Sequence, residues 1–228
     1  MKTQVIAILA ATLVAACAGT PNEVPPEDTT QPPEVSEPTP LDGDRAAKEE
    51  AFILIREFEG WRAQAYNDPA GFCTIGYGHL IRRSTCTSAP LPAPYDDGLT
   101  LSEGEALMRD DASIAANAVN DLVEVDLNDN QFDALVDFVF NIGSGNFASS
   151  TLLVRLNERD FEDVSYQLRR WVFAGGQKLA GLERRRNAEV IVFYKPEDDD
   201  IFQPLSARTT RPVDPADMID ITIGEGAE

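Results

Sequence analysis

One short stretch, from Glu57 to His79, constrains this chain more than any other because it combines carboxylates with glycines and aromatic residues. Just upstream, apolar residues recur with the helical period between Ala51 and Phe58, and Gly60 is expected to end that helix. Glu59 therefore lies at a helix C-terminus, where the helix dipole and the neighbouring apolar side chains both favour a protonated carboxyl group. We interpret Glu59 as a general acid.

A strong turn signal, Asn67-Asp-Pro-Ala-Gly71, follows this helix. Two short strands are predicted after it, over residues 72–75 and 76–79. Asp68 lies in the turn, where solvent and backbone N–H groups keep a carboxylate ionised, in contrast to Glu59. Thr74 adds a hydroxyl that can hold a water molecule beside Asp68. An acid, a carboxylate and a held water are what glycoside hydrolysis requires.

These residues resemble the active-site signature of the phage-type lysozymes, the endolysin muramidases of glycoside hydrolase family 24. The motifs that carry the resemblance, several of them close to the lambdoid branch, are Glu59-Gly, Tyr66-x-Asp, Thr74-Ile-Gly-x-Gly-His79, Asn130-Gln-Phe-Asp-Ala-Leu, Phe140-Asn-Ile-Gly, Ser150-Thr-Leu-Leu and Gly181-Leu-Glu-Arg-Arg-Arg-Asn-Ala-Glu189. Several motifs in the right order are far more specific than a single Gly-x-Gly.

The resemblance implies hydrolysis of the β-1,4 bond between N-acetylmuramic acid and N-acetylglucosamine in peptidoglycan. We predict that the reaction proceeds by inversion, with Glu59 as the acid and with Asp68 and Thr74 directing water. By resemblance alone, Leu80, Phe140 and Ser150 line the sugar-binding cleft. It implies no cofactor.

Other interpretations of the same stretch stay open. Glu57 could be the acid, although two residues along a helix turn it about 200° away from Glu59. A lytic transglycosylase cuts the same bond with one glutamate and needs no water-directing carboxylate. A non-catalytic, wall-binding lipoprotein is the third class.

The residue types elsewhere in the chain argue against a zinc site and against a serine nucleophile. His79 is the only histidine, and we expect it to be a buried, hydrogen-bonded structural residue. One histidine without clustered cysteines is too few for a zinc site. Gly143-Ser-Gly145 lacks the Gly-x-Ser-x-Gly frame of a serine nucleophile.

The N-terminal residues of the chain indicate export. Residues 1–17 carry one lysine and an apolar run that finishes on small residues before Cys17, like the signal peptide of a bacterial lipoprotein. We expect Cys17 to be acylated and residues 18–45 to form a Pro-rich, acidic linker. Ala18 is not aspartate, which by the sorting rule of bacterial lipoproteins implies the outer membrane, facing the periplasm. Cleavage near Ala16 and secretion are the alternative.

Two cysteines remain if Cys17 is acylated. In an exported chain an even pair is expected to form a disulfide, here between Cys73 and Cys86. Two free thiols are the alternative.

The body, residues 46–196, is predicted to be a mostly α, α+β lysozyme-like domain with a small lobe of short antiparallel strands and a larger helical lobe. Overlapping capping boxes at Thr100 to Glu105, and Asn128 to Gln131, mark two helix starts. The predicted helices after the small lobe span roughly residues 101–119, 132–141, 150–156, 161–172 and 182–194.

The charge is strongly negative, with 39 acidic against 19 basic residues and a net charge of −20. Nucleic acid is thereby an improbable partner, and we expect a monomer that binds peptidoglycan. The arginines at 169–170 and 184–186 form local positive patches that could meet wall carboxylates. Residues 197–228 form an acidic tail that we expect to be flexible, although Ile219 to Ile223 could instead pair with a sheet edge.

Overall fold

The computed structural model describes residues 45–68, 70–196 and 209–225. The predicted signal peptide, its Cys17 and nearly all of the predicted linker lie outside these residues. The helices of the described part are α1 (Glu49–Glu59), α2 (Leu101–Leu122), α3 (Asp129–Ile142), α4 (Ser144–Ala148), α5 (Thr151–Asn157), α6 (Phe161–Arg169) and α7 (Ala180–Phe193). The strands are β1 (Arg62–Asn67), β2 (Cys73–Gly76), β3 (His79–Arg82), β4 (Trp171–Ala174), β5 (Gln177–Lys178) and β6 (Ile219–Asp220). The α+β, mostly helical prediction is confirmed.

Helix α1 ends where the sequence predicts. Gly60 has φ = 69°, a left-handed conformation that glycine adopts without strain, and its N–H donates to the carbonyl of Arg56. Ala51, Leu54 and Ile55 bury one face of the helix. This geometry leaves Glu59 on the last turn.

The small lobe is an antiparallel sheet in the order β1, β2, β3. The prediction of strands over 72–75 and 76–79 is only partly right, because β3 begins at His79. Gly76 and Gly78 have φ of 68° and 85°, so they form the turn between strands rather than a strand. Strand β1 was not predicted.

Helix α3 is the centre of the helical lobe. Asn128 and Gln131 form the predicted capping box, and the helix packs against α1, α2 and α7. Its apolar residues are buried around most of its circumference. Helix α2, capped by Thr100 and Glu103, packs against α3 and also against β2 and β3, so it joins the two lobes.

A second sheet, in the order β5, β4, β6, lies within the helical part of the domain. The prediction of a helix over 161–172 is wrong at its end, because α6 stops at Arg169 and Trp171 begins β4. Trp171 is fully buried, and Gly175 and Gly176 adopt positive φ in a tight turn that returns the chain as β5. Turn chemistry and burial thus outweigh the helical periodicity.

The C-terminal segment, residues 209–225, packs on this sheet. Strand β6 pairs in parallel with β4, and the N–H groups of Ile219 and Ile221 donate to the carbonyls of Arg170 and Phe173. Glu225 accepts hydrogen bonds from Thr151 at 2.7 and 2.6 Å. Pairing with a sheet edge is therefore the alternative that the structure shows, and the expectation of a flexible tail is wrong for this segment.

A disulfide joins Cys73 to Cys86, as predicted, with the Cα atoms 4.6 Å apart. It fixes the loop after β3 to the strand that carries Thr74. In the part of the chain that the structure describes, no helix is both long and apolar enough to cross a bilayer.

Candidate active site

Glu59 lies between the two lobes. Its Oε1 accepts a hydrogen bond from Nη1 of Arg185 at 2.5 Å. On the other side, Gly78 comes so close that a Cβ there would lie 3.2 Å from Oε2. The two carboxyl oxygens therefore have different surroundings, a guanidinium for Oε1 and the backbone of the small lobe for Oε2.

Arg185 is held in place by other buried carboxylates. Its side chain is 3% exposed, and it donates to both carboxyl oxygens of Asp137, at 2.7 and 3.0 Å. Burial lowers the pKa of Arg185, but the charges of Asp137 and Glu59 outweigh burial and raise it overall. Arg185 thus stays charged. The two hydrogen bonds from its Nε and Nη2 to Asp137 fix the guanidinium plane, so that Nη1 is directed at Glu59.

A second buried ion pair lies next to the first. Arg186 Nη2 donates to Glu189 Oε1 at 2.6 Å, and both side chains are fully buried. Burial raises the pKa of Glu189 well above its usual value. Glu189 is also 3.8 Å from Arg185, so a continuous charge network runs from Arg186 to Glu59.

Asp68 closes the turn that follows β1. Its Oδ1 accepts the N–H of Phe72 at 2.8 Å, and its backbone carbonyl accepts the N–H of Gly71 at 2.9 Å. Such a turn fixes the carboxylate by local hydrogen bonds. Thr74 is buried in the middle strand, and its hydroxyl donates to the carbonyl of Phe72 at 3.2 Å.

Tyr66 connects the candidate groups. In the sheet it lies opposite Thr74, which in turn lies opposite Leu80. Burial raises the pKa of the Tyr66 phenol, and the charges of Glu59 and Asp68 both raise it further. Tyr66 is thus paired with Thr74 across the sheet and senses the charges of both predicted catalytic carboxyl groups.

A cavity of about 320 Å³ opens between the small lobe and the helical lobe, and Gly78, which approaches Glu59, lines it. Leu80, which is 40% exposed, and Phe140 also line it, and their contact with sugar stays a prediction. Gly143 and Ser144 line it from the turn after α3. The arrangement has the size and partly apolar character of a ligand cleft.

His79 also lines this cleft, half-buried rather than buried as predicted. Its Nδ1 is 2.9 Å from Asp111 Oδ2, and its Nε2 is 3.2 Å from the hydroxyl of Tyr95. The predicted structural, hydrogen-bonded role is confirmed. The histidine joins β3 to α2 and to the Pro-rich loop.

Ser150 does not lie on the cleft surface. Its side chain is 1% exposed, and its hydroxyl donates to the carbonyl of Phe147 and accepts from the N–H of Leu153. It is the N-cap of α5. The structure gives Ser150 a helix-capping role, and these contacts do not support the predicted binding of sugar.

Sequence reasoning missed Arg185 and Asp137 as site residues. The arginines at 184–186 were interpreted as a surface patch, whereas Arg185 and Arg186 are buried and only Arg184 is exposed. A signal was present, because α3 carries Asp133 and Asp137 four residues apart on an otherwise apolar helix. Buried carboxylates of this kind call for a cationic partner.

Residues 56–189 match the sequence profile of a family described as phage lysozyme. The chain belongs to the phage lysozyme family. It is therefore an enzyme, a glycosidase, and the site around Glu59 lies within the matched residues.

Individual relatives agree with this assignment to the phage lysozymes. An endolysin of Acyrthosiphon pisum secondary endosymbiont phage 1 is 36% identical over 149 residues, which cover 64% of this chain and 95% of that protein. The muramidase domain of SpmX from Asticaccaulis excentricus is 39% identical, with a TM-score of 0.57 over 67% of this chain and all of that domain. A variant of P22 lysozyme is 29% identical, with a TM-score of 0.56 over 66% of this chain and 99% of that one.

The C-terminal segment lies beyond the matched residues of this phage lysozyme. Strand β6 and the contacts of Glu225 come after residue 189, where the family match ends.

Proposed function

We propose that this glycosidase cleaves peptidoglycan between N-acetylmuramic acid and N-acetylglucosamine, with inversion at the anomeric carbon. The observation that carries the proposal is the environment of Glu59, whose Oε1 is engaged by Arg185 while Oε2 lies beside Gly78 at the small lobe. A carboxyl group held by one oxygen can present the other to a leaving group. Glu59 is then the general acid.

Asp68 and Thr74 act on the opposite side of the sugar. In an inverting glycosidase a carboxylate activates the water that attacks the anomeric carbon, and the two carboxyl groups lie roughly 6.5–9.5 Å apart to leave room for it. Among the described residues, Asp68 is anchored through Oδ1, by the N–H of Phe72. Its Oδ2 can accept a proton from a water that the hydroxyl of Thr74 helps to orient.

The products test the reaction. Purified peptidoglycan is digested with the protein, and the fragments are analysed by mass spectrometry and by ¹H NMR within the first minutes. We expect reducing ends, with the α-anomer of N-acetylmuramic acid formed first. Anhydromuramic ends would show a lytic transglycosylase, and a first-formed β-anomer would show retention; either result rejects the proposal.

Two matched variants test the acid. Glu59→Gln should lower the lysis rate by about 10²–10⁴, because removal of a general acid has an effect of that size. Glu57→Gln is the control, since Glu57 is an exposed carboxylate on the same helix. Equal losses in the two variants would contradict the assignment of Glu59.

We also propose that the enzyme is exported and tethered to the membrane through an acylated Cys17. Support comes from the sequence, in which a short apolar run ends at Cys17 and a Pro-rich segment follows. The disulfide between Cys73 and Cys86 fits an oxidising compartment. Similarity to a SAR-endolysin of bacteriophage PS119, 38% identical over 133 residues, fits an envelope enzyme.

A further inference from the structure

A second cavity, of about 290 Å³, lies on the helical lobe apart from the cleft. The C-terminal segment forms one wall through Pro212, Val213 and Met218. Arg169 and Arg186 line the cavity from α6 and α7. This segment follows the residues that match the family profile, whereas the two arginines lie within them.

Both arginines carry N–H groups without a hydrogen-bond acceptor in the described part of the chain. They are Nε of Arg169, and Nε and Nη1 of Arg186. Arg186 is fully buried, and only its Nη2 has partners, Glu189 and Asn141. Buried donors without acceptors are rare in native proteins, because each one loses its hydration without compensation.

Within the described ranges Arg169 has no ion-pair partner either. Its one hydrogen bond is from Nη2 to the backbone carbonyl of Thr209, at 2.5 Å, and no acidic residue of the described ranges forms an ion pair with it. Burial lowers the pKa of Arg169. A half-buried guanidinium in this state gains most from an anionic partner.

The remaining lining decides what kind of anion fits. Val172, Val213 and Met218 offer apolar surface, and Asn187 offers an amide. Lys178 and Glu183 also line the cavity and form an exposed ion pair with each other at 2.9 Å. A planar guanidinium matches a carboxylate through two parallel hydrogen bonds, and the apolar wall suits a small side chain beside it.

We propose that this cavity binds a free carboxylate at the end of a short peptide, as carried by the peptide stems of peptidoglycan. The choice of peptide rests on the proposed function, whereas the carboxylate is argued from the arginines alone. Arg169 makes the contact because it is only half-buried, whereas the fully buried Arg186 adds positive charge behind it. Such a site would hold the enzyme on wall strands that still carry peptides.

Binding of N-acetyl-D-alanyl-D-alanine to the full chain, measured by calorimetry, tests this proposal without any hydrolysis. We expect saturable binding that weakens about tenfold in Arg169→Gln, as the loss of a charge-assisted pair implies. Val213→Phe fills the cavity without changing charge and should weaken binding as well. Arg184→Gln is the control, because Arg184 is an exposed arginine of the same helix that does not line the cavity.

The proposal is overturned if the wild type shows no saturable binding, or if Arg169→Gln and Val213→Phe leave binding unchanged. It is also overturned if acetate and inorganic phosphate bind as tightly as the peptide, because the site would then be an unselective anion site. Wall hydrolysis is measured on the same preparations. A protein that hydrolyses the wall but does not bind the peptide refutes this inference alone. One that binds the peptide but does not cut refutes the proposed function alone.

Discussion

Arg185 is the residue on which the geometry of the site depends. It lies 126 residues from Glu59 in sequence and 48 from Asp137, yet it donates hydrogen bonds to both. Asp137 is fully buried, so its negative charge is tolerated only because the guanidinium is there. Arg185 is a positioning residue, since it acts through Glu59.

Arg185→Met should lower the free energy of unfolding by about 3–5 kcal/mol, because it leaves Asp137 as a buried charge without its partner. Chemical denaturation measures this loss. Arg184→Met is the matched control and should stay within about 0.5 kcal/mol of the wild type, as surface substitutions usually do.

The double variant Arg185→Met/Asp137→Leu separates stability from positioning. Replacing both members of a buried ion pair by apolar side chains is often neutral, so we expect the double variant to regain most of the lost stability. Its activity should stay low, because nothing then holds Oε1 of Glu59. Recovery of both stability and lysis would show that Arg185 serves folding only.

Local sequence signals predict local structure well at this scale. Gly60 ends α1, Asn128 caps α3 and Cys73 pairs with Cys86, and each of these could be predicted from neighbouring residues or from residue counts. Arg185 could not, because its role arises from contacts across three helices that no local pattern encodes. Ser150 shows the converse, because a family motif predicts a contact with sugar whereas the structure shows a helix cap.

At the scale of elements, the junction between the lobes depends on the close approach of helix α2 to Trp61. A Cβ on Gly104 would lie 1.9 Å from the ring of Trp61, and that ring packs against Tyr77 with centroids 5.3 Å apart. Glu105, the next residue, accepts from Arg56 at 2.8 Å and from Tyr77 at 3.1 Å. Helix α2 thereby contacts both lobes beside the candidate acid.

Gly104→Ala should therefore destabilise the domain by about 1–3 kcal/mol, the usual effect of overpacking. Gly181→Ala is the matched control, because it adds the same methyl group to a helix where nothing lies within 4 Å. It should be neutral or stabilising by up to about 1 kcal/mol, through helix propensity alone. Thermal unfolding of both variants measures the difference, and equal shifts would argue against a tight junction at Trp61.

Helices and strands could be predicted from the sequence where one local signal dominates, but not where two local signals compete. The capped helices α2 and α3 follow the sequence closely. The segment after α6 carries both a helical period and a Gly-Gly turn, and its outcome as strand β4 depends on pairing with a segment about 48 residues later in the chain, through Trp171 and Ile219. Such long-range pairing overrides local preference.

At the scale of the whole molecule, the C-terminal segment supports a domain whose core lies mostly elsewhere. Ile219 and Ile221 are its contributions to the hydrophobic cluster, whereas Ser165, Tyr166 and Arg170 donate hydrogen bonds to it. We expect a chain ending at Pro196 to fold, with a lower midpoint of thermal unfolding than the full chain. Circular dichroism should still show mainly helix, and a spectrum dominated by strand would contradict the predicted 46–196 domain.

The other end of the domain fixes where a tether would enter. Nη1 of Arg45 donates to the carbonyl of Leu127 at 2.7 Å and Nη2 to Asp129 at 2.8 Å, while Asn120 donates to the carbonyl of Arg45 at 2.9 Å. These bonds hold the start of the domain at the N-terminus of α3. A linker attached there joins the helical lobe and leaves the small lobe unattached.

If the enzyme is attached to the membrane at Cys17, its hydrolytic activity must be limited, because an anchored hydrolase is continuously exposed to the wall. The 28 residues from 18 to 45, extended at ~3.1 Å each, reach roughly 85 Å, enough for the domain to search nearby wall. We propose that the net charge of −20 weakens attraction to anionic wall polymers and so limits activity. Metabolic labelling with a clickable palmitate tests the anchor: we expect label on the wild type and none on Cys17→Ala. Label absent from both would indicate a secreted enzyme cleaved near Ala16, and restraint would then have to come from charge alone.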